Sequence, residues 1–296
     1  MKTAVFTKMF GDRRLDEVID VASNLNYDAV EVMCREPHFG VETSNERARE
    51  IADRLDANDL EVACLATYTG KYVGKSEAEC EAALDRLTRF LELGELLDCP
   101  RVRHGPGGPP SRDADDDAYR TGVKWMRRAA DVAADYDATL LMEIHSNTII
   151  ESAADAERLL DAIDRENVGV IHDAGNMYIS DVGYGRESVE RLGDDLRHVH
   201  VKDERRCTGS GSGSESEQSG RFELETCHGV EAFEPRLLGT GDVNHAPLFG
   251  ALDEREYDGY VTAECHRPSN DELSPTDIAR HERAEIERLW ADARSE

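Results

Sequence analysis

Four metal-capable side chains stand at, or within one residue of, the end of a short apolar run: Glu143, Asp173, His200 and Glu264. The runs are Thr139–Glu143, Val168–Asp173, His198–Val201 and Tyr260–Glu264. Three carboxylates and one imidazole suit a divalent cation of intermediate hardness, such as Mn²⁺, Mg²⁺ or Co²⁺. Successive strand ends converge only if the strands lie side by side and parallel. The ligand pattern therefore predicts an architecture together with a chemistry.

The elements that must position these residues are legible along the chain. Short apolar runs read as strands at Thr3–Thr7, Ala29–Met33, Leu60–Ala66, Arg101–His104, Thr139–His145, Val168–His172, His198–Val201 and Gly259–Glu264. Longer segments between them carry helical periodicity: Leu15–Leu25, Ser44–Ala57, Glu77–Leu97, Asp115–Tyr136, Ala153–Ile163, Glu187–Leu192, Ala246–Leu252 and Thr276–Asp292. Leu84, Leu87, Leu91 and Phe90 show the i, i+3, i+4 spacing of a half-buried helix. Eight strand–helix units predict an α/β fold, a (β/α)₈ TIM barrel formed by a single domain over 1–296. An open doubly wound sheet is the alternative, but the first strand leads into Lys8-Met9-Phe10-Gly11-Asp12, which has no Gly-rich phosphate loop.

Strand side chains alternate between two faces. If Glu143, His200 and Glu264 point into the barrel, Leu141 and His145, His198 and Lys202, and Thr262 and His266 accompany them. The predicted barrel mouth thus gathers Glu143, His145, Asp173, His200, Lys202, Glu264 and His266. Glu31, His104, Glu36 and His38 are further groups able to reach substrate hydroxyls, while Tyr68 and Tyr72 could wall the pocket. Pro106–Pro110 reads as a stiff loop beside the site.

Composition narrows the partners. The 296 residues include 63 acidic and 35 basic ones, for a formal net charge of −28. Only six of the basic residues are lysines. Such a surface repels nucleic acid and anionic membranes, and it suits a protein living in molar salt, where the Debye length shortens to about 3 Å. Seven cysteines with no C-x-x-C pair point to a reducing cytoplasm. No apolar stretch reaches the roughly 20 residues of a membrane span. One segment breaks the barrel rhythm: residues 208–220 read TGSGSGSESEQSG. It sits within an acidic, Gly/Ser-rich insertion at about 204–235, expected to be a flexible solvated loop; a lid over the site is the other reading.

Five motifs in order carry a resemblance to a known family: Leu141-Met142-Glu143-Ile144-His145, Asp173-Ala174-Gly175-Asn176, His198-Val199-His200-Val201-Lys202-Asp203, Leu238-Gly239-Thr240-Gly241-Asp242-Val243 and Tyr257 through Glu264. The chain resembles the sugar phosphate isomerase/epimerase family of xylose isomerase-like barrels, a superfamily that also holds ketose 3-epimerases, inosose dehydratases and an AP endonuclease branch. The resemblance implies one divalent ion (Mn²⁺, Mg²⁺, Co²⁺ or Zn²⁺) on Glu143, Asp173, His200 and Glu264. It also implies that Glu143 and Glu264 transfer the proton, one on each face of the reacting carbon. His145, Asn176, Lys202, His104, Arg206 and His266 are the expected substrate contacts. In the ketose 3-epimerases the position of Asn176 is usually a His, and Arg206 maps onto a family Arg only across the start of the insertion. Lys202 is more typical of the isomerase and dehydratase branches.

The expected activity is metal-dependent isomerisation or epimerisation of a small carbohydrate, a sugar, ketose or polyol derivative. A dehydratase of the inosose type, expelling a β-hydroxyl from the same site, is the alternative. A nuclease of the AP endonuclease type is disfavoured by the net charge and the lack of a basic groove. A non-enzymatic metal- or metabolite-binding barrel remains a fourth reading, and the chain is a possible homo-oligomer.

Overall fold

A computed structural model describes residues 1–11, 13–207, 220–264 and 273–295. Eleven strands appear among them: β1 Lys2–Phe6, β2 Ala29–Met33, β3 Glu61–Gly70, β4 Arg101–Gly105, β5 Thr139–Glu143, β6 Val168–Asp173, β7 Leu196–Val201, β8 Asp203–Cys207, β9 Phe222–Thr226, β10 Gly229–Arg236 and β11 Tyr260–Ala263. The helices are α1 Leu15–Asn24, α2 Asn45–Asp56, α3 Glu77–Leu96, α4 Asp116–Ala134, α5 Ala153–Ile163, α6 Ala174–Ile179, α7 Arg186–Leu192, α8 Ala246–Glu254 and α9 Pro275–Ala293. Strands β1 to β7 and β11 close into an eight-stranded barrel in which every neighbouring pair is parallel. All eight strands expected from the apolar runs are present, which establishes the (β/α)₈ barrel.

Local sequence explains where the helices begin. Ser44, Ser76, Ser152 and Ser274 each accept a backbone N–H at the third helical position, satisfying a donor the helix itself cannot. Ser76 with Glu79 and Ser152 with Asp155 complete reciprocal capping boxes. Along α4, Val123, Trp125, Met126, Ala129, Ala130 and Ala133 are buried. Each of the larger side chains contributes about 1.5–3 kcal/mol by leaving water.

The barrel interior is filled in layers. Ala4, Ala29, Ala63 and Tyr260 form one cluster, Cys64, Leu141 and Ile171 another, and Phe6, Met33 and Ala66 a third. This apolar fill supports the polar groups above it. No helix of the described residues is long and apolar enough to cross a membrane.

The structure corrects the expectation for 204–235. Strands β8, β10 and β9 form a three-stranded antiparallel sheet outside the barrel, where a flexible loop was expected. Phe222-Glu223-Leu224-Glu225-Thr226 does alternate with period two. Its charge and the low-complexity stretch beside it mask that signal, and pairing with β10 supplies what composition does not show. The rest of that stretch, 208–219, lies outside the described residues, as does the question of a lid. Helix α6 was also not anticipated: at six residues it is too short to show a periodicity.

Candidate metal centre at the barrel mouth

Register builds the site. A shift between Val170 and Ile171 on β6 sets Asp173 level with His200 on β7, and His200 pairs in turn with Thr262 on β11. The Glu264 amide extends the ladder by donating to the Val201 carbonyl at 3.0 Å. Glu143 closes β5 at the same end. These strand ends bring one ligand atom from each of Glu143, Asp173, His200 and Glu264 within 4.8 Å of one another. His200 Nδ1 faces Glu264 Oε2 at 3.3 Å, Glu143 Oε1 at 3.6 Å and Asp173 Oδ2 at 3.8 Å.

Each ligand is oriented by a second contact. Asp173 caps α6: its Oδ1 accepts the Asn176 N–H at 2.8 Å, leaving Oδ2 turned to the cluster. His200 Nε2 lies 2.8 Å from Glu31 Oε2, which also meets His198 Nε2 at 2.9 Å, and all three side chains are fully buried. A proton donated from Nε2 to Glu31 leaves the Nδ1 lone pair for an ion, the arrangement of a carboxylate–histidine–metal triad. That Nδ1 is buried without a hydrogen-bond partner. Glu143 Oε2 accepts from Arg103 Nη1 at 2.9 Å, and its Oε1 accepts from Asn176 Nδ2 at 3.1 Å. Lys202 Nζ stands 2.9 Å from Asp173 Oδ2 and 3.1 Å from Glu264 Oε2.

The electrostatics agree. Burial would raise the Glu264 carboxyl, yet Lys202 and His200 hold it well below its ordinary value. Burial likewise opposes the ionised Glu143, and Arg103 overrides it. Glu31 is held down to about 2 against its desolvation, chiefly by the charge of His200. Burial works against a charged His200, but Glu31 and the three surrounding carboxylates raise it. Four carboxylates, Glu31, Glu143, Asp173 and Glu264, face two cations, Arg103 and Lys202. With His200 neutral, as coordination through Nδ1 requires, two negative charges remain for a divalent ion to cancel, so the donor set and its charge fit such an ion.

The centre opens into a cavity of about 540 Å³ whose lining includes Glu143, His145, Asn176, Lys202, Glu264, Arg103 and His104, a size suited to a small molecule. His145 Nδ1 donates to the Ser146 carbonyl at 2.8 Å. Asn176 is engaged with Glu143, so its amide orients a ligand. His104 lines the cavity, but both ring nitrogens are committed: Nδ1 to Thr69 at 2.9 Å and Nε2 to Tyr72 at 2.6 Å. Arg206 is not part of the lining. It packs its guanidinium over Tyr178 and Phe233 and pairs with Glu231 at 3.3 Å, because β8 carries it into the added sheet. His266 lies outside the described residues.

Two contributors were missed or assigned another role. Glu31, read as a contact for substrate hydroxyls, instead sits beneath His200; the signal was a carboxylate in the middle of an otherwise apolar five-residue strand. Arg103 is not among the expected site residues, although an Arg alternating with buried Val102 and His104 on a short strand marks an inward-facing charge. The turn Gly239-Thr240-Gly241-Asp242 is tied to the same strand end. Asp203 accepts the N–H groups of Gly239, Gly241 and Val243 at 2.9–3.0 Å, so the turn anchors the residue that follows Lys202. A side chain at Gly241 would overlap the Asp203 carboxylate.

Comparison with known proteins follows this geometry. Inosose dehydratase of Clostridium perfringens is 23% identical over 243 residues, covering 77% of this chain and 78% of that protein. The crystal structure of the IOLI protein with a bound zinc atom superposes with a TM-score of 0.78 at 15% identity, covering 99% of each chain. A D-psicose 3-epimerase structure determined in the presence of D-fructose gives 0.76 at 18% identity, covering 98% of this chain and 99% of the other. The model of the xylose isomerase-like TIM barrel family matches residues 19–289. That match spans nearly the whole barrel, and the chain belongs to the xylose isomerase-like TIM barrel family.

Proposed function

We propose that the protein is a metal-dependent isomerase or epimerase of a small sugar, ketose or polyol derivative, acting by proton transfer next to a carbonyl. The observation that carries this reading is the pair Glu143 and Glu264. Both carboxylates approach His200 Nδ1, at 3.6 and 3.3 Å, and each is kept ionised by its own cation, Arg103 and Lys202 respectively. A divalent ion held by Glu143, Asp173, His200 and Glu264 would polarise a substrate carbonyl and its neighbouring hydroxyl, acidifying the intervening C–H. Glu264 then takes that proton as a carboxylate base and returns it once protonated, or Glu143 delivers one from the opposite face after taking a proton from solvent, to which Glu264 releases its own. Lys202 and His145 present donors and acceptors to substrate oxygens.

A dehydratase is the second reading, favoured by one specific contact. Lys202 Nζ stands 3.1 Å from Glu264 Oε2, which places a proton donor beside the base. Elimination needs that pairing: the base takes the C–H proton, and the leaving β-hydroxyl departs as water with a proton from the donor. The relative named inosose dehydratase supports the same reading.

One experiment separates these outcomes. The Mn²⁺-loaded protein is incubated in D₂O with a panel of ketoses and inososes, and products are read by mass and NMR. Deuterium incorporation at the carbon next to the carbonyl without loss of water supports the isomerase or epimerase, and loss of one water supports the dehydratase. Full activity in Glu264→Gln would overturn both.

A further inference from the structure

A second group of metal-capable side chains lies outside the barrel mouth. The two-residue turn between β9 and β10 is Cys227-His228, and the loop that follows α6 contributes Asp181. One ligand atom from each of the three residues lies within 4.8 Å of the other two. His228 Nε2 is 2.8 Å from Asp181 Oδ2. The backbone is set to present this trio: the Thr226 hydroxyl donates to the Gly229 carbonyl at 3.1 Å and accepts the His228 N–H at 3.0 Å. Asp181 and Gly229 both take left-handed backbone conformations, with φ of 57° and 92°. The loop therefore turns toward the hairpin at Asp181, and the hairpin reverses at Gly229.

We propose that Asp181, Cys227 and His228 form a second metal site, for a borderline-soft divalent ion such as Zn²⁺, which clips the β9–β10 turn to the barrel. One thiolate, one imidazole and one carboxylate make a set that a softer ion prefers, whereas the oxygen-rich barrel mouth suits a harder one. Zn–N and Zn–O distances of about 2.0–2.1 Å and Zn–S of about 2.3 Å place tetrahedral ligand atoms roughly 3.3–3.7 Å apart. The exposed side chains of a surface turn reach that spacing by rotamer changes alone. Arg206 Nη2, 3.9 Å from Asp181 Oδ1, is the cation facing the group, and Glu231 Oε1 at 3.3 Å from Arg206 Nε balances it. A water completes the coordination. The clip joins two parts of the cavity wall, since Phe222 and Leu224 line the cavity from β9 and Ile179 lines it from α6.

The test uses Co²⁺ and the full chain. Among the described residues no sulfur lines the cavity at the barrel mouth, and loss of a near-ultraviolet thiolate-to-cobalt absorption in Cys227→Ser assigns that absorption to the second site. The expected result is two Co²⁺ per chain, one with that absorption. In Cys227→Ser the absorption vanishes while one Co²⁺ still binds. Replacement of outer-shell partners already costs 10–100-fold in affinity, so His228→Gln and Asp181→Asn, which remove ligands, should each weaken the absorbing site at least about tenfold. Zn²⁺ should also slow amide hydrogen exchange over residues 222–236 in the wild type and not in Cys227→Ser. A single Co²⁺ without the absorption, an absorption that survives Cys227→Ser, or exchange over 222–236 unaffected by Zn²⁺ would each overturn the proposal.

Discussion

Glu31 Oε2 lies 2.8 Å from His200 Nε2, the ring nitrogen turned away from the other three strand-end groups, and both side chains are fully buried. The carboxylate selects the imidazole tautomer whose Nδ1 faces the cluster, and its charge makes that nitrogen a better donor. Glu31→Gln keeps the shape and removes the charge. Its Mn²⁺ affinity should fall about 10–100-fold, measured by calorimetry. The same loss appears as a smaller thermal shift: at a Mn²⁺ concentration 100 times the wild-type Kd, the wild type gains about 2.7 kcal/mol, of which the variant forfeits about half for a tenfold loss and most for a hundredfold loss. Equal affinities for the two proteins would remove Glu31 from this role.

Asn176 donates to Glu143 Oε1 at 3.1 Å and to the Ile144 carbonyl at 3.2 Å. Asn176→Asp puts a carboxylate against a carboxylate and deletes a hydrogen bond to a charged group, worth about 1.5–3 kcal/mol. Activity on whichever substrate the panel identifies should drop about 10–100-fold in kcat/KM, while circular dichroism stays unchanged. An unaltered kcat/KM would show that Glu143 is held well enough by Arg103 alone.

Gly175 leaves room for Lys202. A side chain there would overlap the Lys202 stem and crowd the Lys202 carbonyl at 3.2 Å. Gly175→Ala is expected to cost about 1–3 kcal/mol through overpacking, read from urea denaturation. Because the strain falls on Lys202, kcat should decline further than stability loss explains, and a variant with wild-type kinetics would contradict the packing.

The His104 imidazole is held down to about 3 by burial, against about 6.5 in an unfolded chain. The native protein keeps it neutral, while the unfolded chain takes up its proton. Its stabilising contribution is therefore complete above about pH 6.5 and declines as pH falls toward 3. Between pH 5.5 and 4.5 this one group lowers stability by about 1.4 kcal/mol per pH unit. His104→Gln should have a flatter acid limb than the wild type in urea denaturation at each pH. Parallel limbs would mean that the ring is already protonated in the native state.

The fold and the candidate metal cluster were legible in the sequence for the same reason. Buried parallel strands must be short apolar runs, and a charged or imidazole group at the end of such a run has only the barrel mouth to face. Alternation correctly carried Leu141 and His198 inward from Glu143 and His200. It could not say what those inward groups would touch, since spatial neighbours in a barrel are far apart in sequence. Arg103 and Glu143 are 40 residues apart, and Glu31 and His200 are 169 apart.

The roles of Glu31, Asn176 and Arg206 were decided by tertiary structure. Glu31 became an orienting group because β2 lies across the barrel from β7. Asn176 became a ligand holder because Asp173 caps the short helix that carries it. Arg206 left the cavity because β8 pairs with β10, a contact between segments whose charged composition advertises no strand. Sequence by itself determined which residue types stand at the strand ends, because the alternation of a pleated strand is a local property of the backbone. Which of them meet, and which are held ionised by a partner, depended on register and barrel closure, which only long-range hydrogen bonding between strands sets.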